Sequence, residues 1–137
     1  MDKGRILSEK EDIEECILIE ECYMGIPDEE DIERLNELQR RKLKRMIKKY
    51  GGFWAVNINL NPEYEATSKP LIKVTELKDI HAWDALIPLD APEDKLKLLE
   101  KLIYEWNKKS LTKEGRKILD KIFDLIDDLG GYSLFWY

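Results

Sequence analysis

Histidine occurs once, glutamine once and cysteine twice in these 137 residues, and each scarcity excludes something. A lone His81 rules out a two-histidine metal site or a two-histidine acid–base mechanism within one chain. Cys16 and Cys22 form no Cys-x-x-Cys pair, so the usual zinc and redox signatures are missing. Both fall in a predicted helix that turns them about 240° apart, too far round to bridge. They are expected to be two buried free thiols of a protein in a reducing compartment. The four serines sit in no Gly-x-Ser-x-Gly context, and neither Gly-Gly pair leads to a third glycine or to Gly-Lys-Ser/Thr. Nucleophile elbows and phosphate-cradling loops are therefore absent, no cofactor is implied, and the expectation is a protein that is not an enzyme. Apolar runs such as Cys16–Ile19 are too short to span a membrane, and the first residues lack the apolar stretch of a secretory signal. The expected location is cytoplasmic (host cytoplasm if viral).

Charge is abundant but unevenly placed. Lys and Arg number 23 against 29 Asp and Glu, a net of −6, which disfavours a dedicated polyanion binder. Residues 1–33 hold 13 acids and 3 bases, a net of −10, whereas residues 34–50 hold 8 bases against Glu37, a net of +7. The abundance of Lys, Glu and Ile beside one glutamine is the usage of hyperthermophile proteins, so a thermophilic source is expected, with an archaeon or an archaeal virus among the candidates.

Periodicity predicts four helices. Ser8 and Glu11 make a capping box for the first, whose apolar face is read as Ile13, Cys16, Ile17 and Tyr23 or Met24, with Gly25 as a left-handed stop. The second follows Ile26-Pro27, begins Asp28–Asp31, ends Lys48-Lys49-Tyr50, and buries Ile32, Leu35, Leu43, Met46, Ile47 and Tyr50. A short connection makes the two an antiparallel pair. The third is expected to open on a capping box at Asp90–Glu93 and to bury Leu99, Leu102, Ile103 and Trp106. Thr112 caps the fourth, which carries Ile118, Leu119, Ile122, Phe123, Leu125, Ile126 and Leu129.

Residues 53–60 alternate, with Trp54, Val56, Ile58 and Leu60 on one face and Asn57 and Asn59 on the other, as in a half-buried strand. A loop is expected over 61–70 and a strand over Leu71–Leu77 with Ile72 and Val74 inward. Residues 78–90 read as a short helix or an ordered loop. A last aromatic strand, 132–137, should pair within the sheet, beside 53–60, or with another copy. The expected architecture is one α+β domain over 1–137, about four helices on a small, mainly antiparallel three-stranded sheet in the order ααββααβ. Both halves end helix, Gly-Gly, aromatic strand, so an ααβ pseudo-repeat over 8–60 and 90–137 is one reading, and a shared helix-ending signal is the preferred one.

Leu111-Thr112-Lys113-Glu114-Gly115-Arg116-Lys117-Ile118-Leu119 resembles the Leu-Thr-x-x-Gly-Arg-x-x-Leu stretch opening the last helix of many winged-helix transcriptional regulators. A helix, not the wing hairpin of those families, precedes it here, and no function is carried over from nine residues.

Three functional hypotheses follow. In the first, a non-catalytic interaction protein binds a protein partner, or itself as a homodimer through the C-terminal strand; Trp83, Phe135, Trp136 and Tyr137 are the contact candidates, Trp83 and one face of 132–137 being expected to be exposed. In the second, a nucleic-acid-binding regulator uses Arg40, Arg41, Lys44, Arg45 and Lys48 along one helix face, where cations can replace the counterions of successive phosphates; pairing of these cations with the acidic first helix opposes it. In the third, an enzyme is built around His81 and Asp84.

Overall fold

The computed structural model describes residues 6–64, 68–78 and 80–137. Met1–Arg5, and residues 65–67 of the loop expected over 61–70, lie outside the described residues. The elements run α1 (Glu9–Met24), α2 (Glu29–Tyr50), β1 (Phe53–Val56), β2 (Leu71–Val74), β3 (Ala85–Ile87), α3 (Glu93–Lys109), α4 (Lys113–Asp128) and β4 (Tyr132–Ser133). The fold is α+β, with four helices and a four-stranded antiparallel sheet of order β2-β1-β3-β4.

The order is thus ααβββααβ, one strand more than the sequence suggests. The extra strand is Ala85–Ile87, within the span 78–90 read as a short helix or an ordered loop; Asp79 of that span lies outside the described residues. Ala85, Leu86 and Ile87 are all fully buried, so β3 is apolar on both faces and too short to show alternation. The terminal strand pairs beside β3, Ala85 opposite Ser133 and Leu86 opposite Tyr132, and not beside 53–60.

Both faces of the sheet are covered. Val56, Ala85 and Ile87 pack on Leu99 and Ile103 of α3 and on Ile122 and Ile126 of α4. Phe53, Ala55, Val74 and Leu86 pack on Leu43 and Met46 of α2. α2 and the α3–α4 hairpin therefore sandwich the sheet, with α1 packed on α2, and full burial of each Val, Leu, Ile, Phe or Met side chain among these contributes roughly 1.5–3 kcal/mol. Trp54, Val56, Ile58 and Leu60 do share the α3–α4 side. Asn57 is buried and not on an open face, because its amide donates to the Lys69 carbonyl and its N–H to that of Pro70, closing the loop onto the strand.

Helix ends follow the local chemistry with two exceptions. The Ser8–Glu11 box is formed, and the Thr112 hydroxyl accepts from the Gly115 N–H at 2.9 Å. The α3 box is not formed, since the helix starts two residues later than Asp90 would cap, with Pro92 at its N-cap. Gly25 is extended (φ −133°, ψ −160°) and not left-handed, because the chain runs straight into Ile26-Pro27. In the two Gly-Gly pairs the glycines have different tasks. Gly51 and Gly130 take left-handed φ of +79° and +73°, while a Cβ on Gly52 or Gly131 would stand 2.5 Å from the Val74 carbonyl oxygen or 2.6 Å from that of Leu86. Gly115, within the stretch resembling winged-helix regulators, is set by the tight α3–α4 turn, where a Cβ would meet the Lys109 carbonyl oxygen at 1.8 Å.

Candidate interaction surfaces

The polar chemistry of the molecule is concentrated between α1 and α2. Running antiparallel, they place the acidic start of one against the basic end of the other. Glu11 accepts from Arg45 at 2.6 Å and from Arg41 at 2.9 Å. Arg34 forks onto Glu14 through Nε and Nη2 at 2.8 and 2.7 Å and reaches Glu37 at 3.1 Å; Glu37 also accepts from Arg41 at 2.9 Å. The guanidinium of Arg45, and with it that of Arg41, holds the Glu11 carboxyl well below the usual carboxylate range against the opposing effect of burial. Arg34 lowers Glu14, and Arg41 and Arg34 lower Glu37.

Deeper in the same seam, Lys42 is 4% exposed and contacts Glu15 at 2.7 Å, with Gln39 donating to the same Glu15 oxygen at 2.7 Å. Burial pushes the Lys42 ammonium below its ordinary value, with Glu15 opposing. Lys42 also donates to the Ser133 carbonyl at 3.1 Å and lies 5.4 Å from the Phe135 ring centre.

That network anchors the last residues. Gln39 accepts from the Phe135 N–H at 3.0 Å, and Asn36, one turn earlier, accepts from the Tyr137 N–H at 2.9 Å and donates to its carbonyl at 3.2 Å. Two amides at i and i+3 of α2 thus read the backbone of an extended segment at every second residue. Trp136 donates its indole N–H to the Trp83 carbonyl at 3.0 Å, and its own carbonyl accepts from the Tyr23 hydroxyl. The Tyr137 ring meets that of Tyr23 edge-on at 5.5 Å. The only glutamine and Asn36 were not among the candidates; their spacing facing a polar-poor, aromatic tail was the one signal available.

The sequence candidates therefore separate. Trp83 is not exposed: it is 3% accessible, wedged edge-on against Phe53 at 5.8 Å in the α2-side core. Phe135 and Trp136 are half-buried and Tyr137 is exposed at its ring. Of the basic row, Arg41 and Arg45 are committed to Glu11, whereas Arg40, Lys44 and Lys48 form no ion pair among the described residues and make a stripe at i, i+4 and i+8. His81 and Asp84 are not brought to common work. The Asp84 carboxylate accepts from the Ile58 N–H at 2.7 Å, while exposed His81 lies edge-on to Trp83. Burial raises the Asp84 carboxyl above its ordinary value despite that bond. Among the described residues no group of three or more His, Cys, Asp or Glu is placed to hold a metal, and no helix is long and apolar enough to cross a membrane.

A cleft of about 530 Å³ opens over the Lys42–Glu15 pair, between Ile6, Asp12, Phe123, Asp127 and Tyr132. Its buried charges already face one another. The less expected surface is the outside of α1. Leu18 and Cys22, with Glu15, face inward, and the face assigned to the core in the sequence is the solvent face. Ile13, Ile17 and Met24 are 57%, 53% and 84% exposed, Ile26 in the following turn is 99% exposed, and Cys16 is exposed while Cys22 alone is buried.

Compared with known protein families, with curated proteins and with solved structures, the chain finds no match in any of the three.

Proposed function

We propose that this chain is a small, non-catalytic interaction protein whose partner-binding surface lies on the α1–α2 hairpin. The observation that carries the reading is the outer face of α1, where Ile13, Ile17, Met24 and Ile26 stand in water while the inner face is filled. An exposed row of large apolar side chains along one helix and the turn after it, bordered by charge, is the ordinary mark of a protein contact. The free thiols of Cys16 and Cys22 suit a reducing, intracellular setting. The test is co-purification from source cells with wild type and with Ile13→Ser/Ile17→Ser as bait. A stoichiometric protein retained by the first and lost with the second supports the reading; identical retained sets refute it.

A second reading, contact with nucleic acid, is favoured by Arg40, Lys44 and Lys48, the cations that the acidic helix leaves unpaired. Three phosphate contacts would give a shallow salt dependence, with a log–log slope of about −3 on duplex DNA. Fluorescence anisotropy of labelled DNA and RNA over a salt series tests it. Binding that is lost in Lys44→Glu/Lys48→Glu supports it, and no binding at low salt removes it.

A further inference from the structure

The outer face of α1 has a spacing as well as an exposure. Ile13, Ile17, Glu20 and Met24 recur at intervals of four, three and four, which is the seam of a heptad repeat. At about 100° per residue these four side chains fall within roughly 60° of arc, a single line along the helix. Glu20 stands in the middle of that line, where a facing helix would enclose it. Glu9 and Glu21 border the line, and all three are exposed; Lys10, at its start, is the one cation on this face among the described residues.

Charge decides what can cover such a seam. The acids facing α2 are neutralised within the chain by Arg34, Arg41, Lys42 and Arg45. Glu9, Glu20 and Glu21 on the outer side form no ion pair among the described residues. Glu21 has the carboxylate of Asp31 as its neighbour, and that proximity of like charge raises its proton affinity. A second copy of α1 would bring Glu20 and its acidic borders against the same acids, which works against self-association. A helix with lysine or arginine opposite Glu20 and along its edges would meet apolar with apolar and acid with base.

We propose that the outer face of α1 docks a basic amphipathic helix of a partner protein, with Ile13, Ile17 and Met24 as the apolar contacts and Glu20 as the residue that demands a cation. The proposal rests on the interaction-protein reading above and names the chemistry of the partner.

The probes are two labelled peptides of about 18 residues, both with leucine at the heptad a and d positions other than the one that faces Glu20, one with lysine and the other with glutamate there and at the remaining sites. Binding is read by anisotropy and, independently, by protection of Cys16 from alkylation, since Cys16 borders the seam. The lysine peptide should bind wild type and protect Cys16, and the glutamate peptide should not. Ile17→Ser, at an exposed position that leaves the core intact, should weaken binding about tenfold or more. Glu20→Lys/Glu21→Lys should reverse the preference, binding the glutamate peptide instead. If both peptides bind equally and both are sensitive to Ile17→Ser, the face is a docking site but the basic class is wrong. If the lysine peptide binds with no sensitivity to Ile17→Ser and no protection of Cys16, attraction is diffuse and the proposal falls. If neither binds and sedimentation shows a dimer that Ile17→Ser converts to monomer, the occupant is a second copy; the proposal is overturned while the interaction reading stands.

Discussion

Replacing Lys42 by methionine tests the central ion pair most sharply. The substitution keeps the aliphatic stem and removes the ammonium that faces Glu15 at 2.7 Å and the Ser133 carbonyl at 3.1 Å. Glu15, 8% exposed, is left with the Gln39 amide as its remaining neutral donor among the described residues. Stranding one member of a buried pair costs about 3–5 kcal/mol, against a total stability of roughly 5–15 kcal/mol for a domain of this kind. At about 2–5 °C per kcal/mol for this length, the melting temperature should fall by roughly 6–25 °C. Removing both charges, in Glu15→Leu/Lys42→Met, should recover most of the loss and end within about 2 kcal/mol of wild type, because no buried charge is left alone. Urea denaturation at neutral pH, followed by far-UV circular dichroism, measures these two variants and the second single, Glu15→Leu. Lys42 also tethers the tail, so in the single variant the amides of Phe135 and Tyr137 should lose protection from hydrogen exchange first. A loss below about 1 kcal/mol for Lys42→Met, or a double variant whose cost equals the sum of the singles, would refute the coupling inferred here.

Further outcomes are equally direct. Glu11, Glu14 and Glu37 have carboxyl groups lowered by their arginines in the folded state, so their contribution is present above the unfolded-state value and lost as pH falls through the folded one; urea midpoints should drop steadily below about pH 4.5, and Glu11→Gln should flatten that drop. Cys22 is buried and its thiol is raised by that burial, whereas Cys16 is exposed, so a thiol reagent should modify one cysteine at once and the second only after unfolding; two fast thiols would contradict the orientation of α1. Gly52→Ala forces a Cβ to 2.5 Å from the Val74 carbonyl oxygen at a φ of +153°, while Gly51→Ala meets nothing within 4 Å and bears only its φ of +79°. The first should therefore cost clearly more than the second, which should stay near 1 kcal/mol, as thermal melts would show.

Where periodicity was strong, the sequence was sufficient. Leu99 and Ile103 of α3 and Ile118, Ile122, Leu125 and Ile126 of α4 lie buried where a period of 3.6 puts them, whereas Phe123 at the edge of the α4 arc is 42% exposed, and the Ser8 and Thr112 caps form as their hydroxyls require. β3 was illegible because three residues buried on both faces show no alternation, and Trp83 looked exposed because it sits among polar neighbours that a chain trace alone does not fold away. The basic row of α2 was legible as charge but not as function, since only the antiparallel register with α1 shows that Arg41 and Arg45 meet Glu11 while Lys44 and Lys48 form no ion pair among the described residues.

The first helix failed differently, and the failure is informative. α1 carries two apolar stripes, Leu18 and Cys22 on one side and Ile13, Ile17 and Met24 on the other, so hydrophobicity alone could not choose between them. The choice was made by charge: α2 presents Arg41, Lys42 and Arg45, and the side of α1 bearing Glu11 and Glu15 turns toward them even though isoleucines are thereby left in water. A helix serving only this fold would place its isoleucines inward and its carboxylates outward. Retaining β-branched side chains on the solvent face, which adds little to helix propensity and nothing to the core, is a local inconsistency of the kind that accompanies a binding surface. The inner stripe builds the domain, and the outer one is accounted for once a second helix lies along it.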